Sequence, residues 1–188
     1  MPLDPVAPPG ARTRVLDAAE AIVRARGVHS LTLEGAAREA GISKGGLLYH
    51  FASKEALLVA LMQRLADRIA ADYEAMLAAQ PEGPGRAVRA CLAFTFDEPH
   101  ILEAHSRAAA VLLAAFHHDP ALLDPVRAFF ARVRAEAVAD GTPPGVAAAA
   151  MMAGDGLFMA RLFQLYEPGP AELAALRATL HGLLERGA

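Results

Sequence analysis

The chain is poor in cysteine and lysine and has no long apolar run, and each shortage excludes something. Its one cysteine, Cys91, rules out an internal disulfide and fits a reducing compartment. The surrounding run RACLAF reads as a small buried apolar side chain, with a sensing thiol as the alternative. No stretch of about 18 apolar residues is present to span a membrane. The first ten residues hold Pro2, Pro5, Pro8 and Pro9 and lack the apolar centre of a signal peptide, so they read as a disordered arm and the cytoplasm is the expected location. P-loop, nucleophile-elbow and His-Glu-x-x-His patterns are missing, so no enzyme and no cofactor are expected. Seven histidines invite the thought of a metal. His100, Glu103, His105, His117, His118 and Asp119 lack zinc's preferred spacings, and Cys91 is remote, so no metal site is expected.

What is present is a folded composition: 188 residues, 54% apolar and 21% charged. No period-two strand run or internal repeat occurs, and proline and glycine gather at apparent helix ends, so the expected fold is all-α. The net charge of −3 decides nothing about nucleic acid, because it is unevenly spread. Residues 1–60 carry seven Lys/Arg against six Asp/Glu, and residues 61–188 carry eleven against fifteen.

The chain is organised around residues 32–58, TLEGAAREAGISKGGLLYHFASKEALL. Leu33 to Ala40 reads as a short helix whose Ala36, Ala37 and Ala40 let a neighbour lie close. Gly41 ends it in the left-handed conformation and Ile42 fills the angle. Ser43 caps a second helix, and Ser53 the next. A helix, a glycine-containing turn and another helix form a helix-turn-helix, whose second helix lies in the DNA major groove. The only two lysines, Lys44 and Lys54, each follow a capping serine. A cation in the first turn opposes the helix dipole by roughly 0.3–1 kcal/mol, a placement that becomes favourable beside a phosphate. Solvated surface lysines are the alternative. Gly45 and Gly46 remove side chains where backbone could approach base edges.

Ser43-Lys44-Gly45-Gly46-Leu47-Leu48-Tyr49-His50-Phe51, followed by Ser53-Lys54-Glu55-Ala56-Leu57-Leu58, resembles the DNA-binding domain of the tetracycline-repressor family. Gly27, Thr32, Ala37, Ala40 and Gly41-Ile42-Ser43 fall where that pattern puts them, so the match covers about residues 12–60. Gly46 stands where the family usually has Thr, Ser or Ala, and Leu48 where it often has an aromatic. The resemblance implies a two-fold dimer on double-stranded operator DNA, with Thr32, Ser43, Lys44, Gly45, Gly46, Leu48, Tyr49, His50 and Lys54 as candidate contacts. It also makes Arg12 and Arg14, at the start of the first helix, candidate phosphate contacts, with solvated arginines as the alternative.

The expected organisation is an arm over 1–10, a DNA-binding domain over 11–53, and a six-helix ligand-binding and dimerisation domain over 54–188. Helix 54–79 would connect them as a rod of roughly 39 Å. Further helices are read over 85–96, 97–118, 121–139, 146–166 and 171–186. Phe94, Leu112, Phe116, Phe129, Met152, Phe158 and Met159 offer an apolar, flexible lining for a small organic effector, though such stripes also serve as plain core. Asp155, an acid within an apolar helix, could meet a cationic or hydroxylated ligand, cap a helix, or pair with an arginine such as Arg107. Gly154 and Gly156 permit close helix approach and, with Leu173, Leu176, Leu180 and Leu183, mark the expected dimer contact; intrachain packing is the alternative. The functional expectation is a dimeric regulator, a repressor released by a mostly apolar small molecule. A DNA-binding module without ligand input and a ligand-binding helical protein with vestigial DNA binding are the rivals.

Overall fold

A computed structural model describes residues 10–96 and 119–187 of the chain. The helix expected over 97–118 lies outside them, as does all but Gly10 of the N-terminal arm. Among the described residues there are eight α-helices and no strand, in keeping with the all-α expectation. They are α1 (Ala11–Arg26), α2 (Leu33–Glu39), α3 (Lys44–His50), α4 (Lys54–Ala78), α5 (Arg86–Phe96), α6 (Asp124–Ala139), α7 (Pro144–Leu162) and α8 (Pro170–Gly187). Short 3-10 turns, Val28–Ser30 and Pro120–Leu123, precede α2 and α6. None of the described helices is long and apolar enough to cross a membrane.

The packing divides the described residues into two compact units, residues 10–64 with 119–123 and residues 65–96 with 124–187, so that the first division falls inside α4. The physical reason is that Leu57, Leu58, Leu61 and Met62 are all buried, so the first turns of α4 belong to the core of the first unit.

In that unit, α1 buries Val15, Ala18, Ala19, Ile22 and Val23, the stripe its periodicity predicts, together with Leu16. Gly27, at φ 77°, ends the helix in a conformation a side chain would resist. Ala36 and Ala37 of α2 are buried, and their small size lets α1 and α3 pack on the same short helix. The Arg64 guanidinium on α4 spans Asp17 and Glu20 of α1, which ties the first helix to the fourth.

In the second unit, Ala87, Val88 and Leu92 of α5 pack with Ala137 of α6, Ala147 and Ala150 of α7, and Leu180 and Leu184 of α8. Asp140, just past α6, accepts from the Ala87 amide at 2.9 Å and the Thr142 amide at 3.0 Å, so one carboxylate fastens the start of α5 and shapes the turn into α7. The helix expected to reach residue 166 stops at Leu162. Gln164 takes a φ of 53°, and Arg161 closes the turn by donating to Glu167 at 2.9 and 3.1 Å.

Candidate functional site

The helix-turn-helix is built by three side-chain caps in succession. Thr32 Oγ1 accepts from the Gly35 amide at 3.0 Å, Ser43 Oγ from the Gly46 amide at 3.0 Å, and Ser53 Oγ from the Ala56 amide at 3.1 Å. Each satisfies an amide that the first helical turn leaves without a partner. Between α2 and α3, Gly41 adopts φ 66° and the Ile42 amide reaches back to the Ala37 carbonyl at 3.0 Å. Those bonds fix the angle at which α3 leaves α2.

Only Leu47 of α3 is buried, so one side chain anchors the helix in the core and all the others but half-buried His50 turn outward. Lys44, Gly45, Gly46, Leu48 and Tyr49 are exposed, Tyr49 to 87%. His50 is half-buried, its ring edge-on to Tyr49 with centroids 5.2 Å apart. Phe51, just after α3, is buried, and the Arg12 guanidinium lies 5.6 Å from its ring centre.

The two glycines differ. A Cβ at Gly46 would come within 3.3 Å of the capping Ser43 Oγ, a tight approach. A Cβ at Gly45 would meet nothing within 4 Å, so nothing inside the described fold asks for glycine there.

The lysines differ as well. Lys54 is half-buried and donates to the Val28 carbonyl at 3.0 Å, which pins the start of α4 to the turn before α2. Lys44 is exposed and bonds the Glu34 carboxylate in the first turn of α2. That bond, with the backbone and the lysine's charge behind it, holds the Glu34 carboxyl below its ordinary range. Glu34 was missed in the sequence. Ten positions from Lys44 and across a turn, it shares no helical period with it.

The residues expected to line a ligand site separate into two groups. Phe94 and Phe129 come together, with Met76, Leu77, Cys91 and Met151, around buried Tyr73, Ala90 and Val133. Tyr73 lies edge-on to Phe129 and donates its hydroxyl to Glu136 at 2.9 Å. Burial and that carboxylate push the phenol's pKa up. The Arg132 guanidinium sits 6.0 Å from the Tyr73 ring centre and 5.8 Å from that of Phe129, and pairs with Glu74. Tyr73 was missed although it continues the α4 period from Ile69, a signal the sequence did contain. Met152 and Met159 do not join this group. With Gly156 they form an exposed stripe along α7, continued by exposed Phe163 just past its end, at spacings of three or four residues. Phe158 is half-buried. Leu112 and Phe116 lie outside the described residues.

Asp155 stands on the exposed side of α7, yet neighbours screen its carboxyl enough to push its pKa up, while Arg134 pulls it back. Arg161 is not its partner, being engaged with Glu167. Burial, with Asp155 behind it, pushes the Cys91 thiol up to about 12, so it stays protonated at neutral pH and behaves as a packing residue. Asp119 caps its own turn by accepting from the Ala121 amide at 2.9 Å. No group of three potential metal ligands occurs among the described residues.

The expected dimer residues are also redistributed. A Cβ at Gly154 would lie 2.9 Å from Thr95 Oγ1, so that glycine serves the approach of α5 within the chain. Leu180 is buried in the chain's own core, and Leu176 and Leu183 pack against it. Leu173 is half-buried, and Gly156 faces open space.

Residues 85–185 match the family model described as tetracyclin repressor-like, C-terminal domain, and residues 15–61 match that of bacterial regulatory proteins, tetR family. The chain belongs to the tetracycline-repressor family. The transcriptional regulator BetI of Escherichia coli O127:H6 is 30% identical over 112 residues, 59% of this chain and 57% of that protein. The chain thus spans little more than half the length of the curated relatives it matches. Among solved structures, a transcriptional regulator from Rhodococcus sp. Rha1 superposes with a TM-score of 0.70 at 22% identity, covering 95% of this chain and 98% of that one. The multidrug binding protein EbrR, solved with malachite green, superposes with a TM-score of 0.66 at 26% identity, covering 94% and 99%. The tetracycline-repressor fold therefore extends across both units.

Proposed function

We propose that this chain is a DNA-binding transcriptional regulator that acts in the cytoplasm as a homodimer, has no enzymatic role, and represses until a small organic molecule releases it. The observation that carries the reading is the construction of α3. One buried leucine anchors it, and its exposed face offers an ammonium, a phenol and an open backbone at Gly45. A helix with that face suits the major groove, with Lys44 reaching a guanine or a phosphate. Thr32, Ser43, Tyr49, His50 and Lys54 would anchor the backbone of the duplex, and Gly45, Gly46 and Leu48 would lie near the bases.

The exposed α7 stripe of Met152, Gly156 and Met159, with Phe163 just past it, is the face this reading gives to the second protomer. Two copies of α3 would then enter successive major grooves roughly 34–36 Å apart. The aromatic group around Tyr73, with Phe94 and Phe129, is the region assigned to a mostly apolar effector, to which half-buried Phe158 and exposed Asp155 of α7 would be added. EbrR with malachite green is a precedent for such a ligand in this fold. In this reading residues 11–53 read the DNA, residues 54–188 bind the effector and the partner, and α4 connects the two.

The test is to sequence the genomic DNA retained by the purified protein. Enrichment of a short palindrome is expected, with loss of retention when the cognate effector is added. Retention of no sequence above background sinks the reading of α3.

A further inference from the structure

In the free protein the exposed lysine of α3 already has an anion on it. Lys44 Nζ bonds Glu34 Oε1, and the two side chains remain 57% and 62% exposed. The pair bridges two consecutive helices on the outside of the helix-turn-helix, where nothing in the core requires it. Lys54, the other lysine, is turned toward the Val28 carbonyl. The sequence alone gives Lys44 an unfavourable place, in the first turn of a helix whose dipole repels it. Glu34 offsets that placement, because its carboxylate supplies the opposite charge.

A DNA phosphate or a guanine edge would seek the same ammonium. Both cannot hold it equally, since a carboxylate beside a phosphate adds like-charge repulsion. We propose that Glu34 sets the affinity of the DNA-binding unit: it holds Lys44 as an internal counter-anion in the free protein and is exchanged for a DNA acceptor on binding. This rests on the reading of α3 as the DNA-facing helix. The exchange makes each docking event cost one exposed ion pair, which weakens DNA binding in general and non-specific binding most visibly.

The experiment measures binding of a fluorescent duplex of arbitrary sequence, long enough for two half-sites, to the full chain and to three variants: Glu34→Gln, Lys44→Gln and the double variant. Glu34→Gln should tighten binding by about two- to fivefold per protomer, the range expected for release of an exposed pair. The gain should shrink as salt rises, because exposed charges are screened over about 8 Å at physiological ionic strength. In the Lys44→Gln background the same change should have a clearly smaller effect, because only the like-charge repulsion between Glu34 and the phosphates is then left to relieve. Equal tightening in both backgrounds would mean that Glu34 merely repels DNA, and the exchange is overturned. Unchanged or weaker binding by Glu34→Gln overturns it too; Glu34→Ala repeats the measurement should the glutamine variant melt early. Lys44→Gln alone separates the two layers. If it binds as tightly as wild type, the reading of α3 itself fails. If it weakens binding while Glu34→Gln does nothing, that reading stands and only the exchange falls.

Discussion

Gly45 and Gly46 are neighbours in one helix, but their surroundings differ. Gly45→Ala adds a methyl group to open space and removes a helix-weakening residue, worth about 1 kcal/mol. Its melting temperature should rise while its DNA affinity falls, a divergence that thermal melts and gel shifts would show together. Gly46→Ala should gain less stability than Gly45→Ala, because its new carbon comes within 3.3 Å of the capping Ser43 Oγ. Lys54→Ala should do two things. Losing the bond to the Val28 carbonyl should cost roughly 1–2 kcal/mol of stability, and losing one phosphate contact per protomer should reduce the salt slope by about 1.8 in magnitude. Denaturant melts and salt titrations read the two effects separately; an unchanged slope would leave Lys54 a structural residue only. At this scale the caps were legible, since Thr32, Ser43 and Ser53 are cap residues at cap positions. The partners of the lysines were not, because Val28 and Glu34 come near only once the turns at Gly27 and Gly41 have set the helix angles.

Helices report their faces only when the pattern is one-sided. The α1 stripe was readable for that reason, and α7 was not. It is apolar nearly all round, so the sequence could not say that Ala150, Leu157 and Ala160 face the chain while Met152 and Met159 face out. Nor could it divide Gly154 from Gly156. Gly154→Val should overpack against Thr95 and cost about 1–3 kcal/mol. A Cβ at Gly156 would meet nothing within 4 Å among the described residues, so the unfolding midpoint of Gly156→Leu at low concentration should hold while self-association, read by light scattering, changes. The α5–α6 junction adds a pH prediction. Burial pushes the Asp140 carboxyl up, but hydrogen bonds from Thr142 and from the Ala87 and Gly85 backbone outweigh it, so its folded pKa lies below the ordinary carboxylate value. A depressed folded pKa means stability that is fully present above the unfolded pKa and fades as pH falls through the folded one. Asp140→Asn should therefore destabilise the chain at neutral pH, and the gap to wild type should narrow in acid.

For the molecule as a whole, the fold class and the helix-turn-helix were written in local patterns of a few dozen residues, and the proposed effector region was not. Its aromatic group draws on α4, α5, α6 and α7, so no single window of sequence contains it. Phe129→Ala should blunt the response to an effector while leaving operator affinity near wild type, which gel shifts with and without the effector would compare. If the variant instead loses its cooperative melt, Phe129 belongs to the core.

The scarcity of lysine also governs how the protein can be handled. Amine-directed reagents have two side chains to choose from, and Lys44 is the open one while Lys54 is half-buried against a carbonyl. Attachment to a sensor surface through side-chain amines would thus orient the molecule with α3 toward the matrix and hide the face proposed to meet DNA. Thiol coupling offers no escape, since the Cys91 sulfur is partly buried and held protonated. Peptide mass mapping after brief acetylation should find Lys44 labelled well before Lys54, and bound duplex should slow the reaction at Lys44.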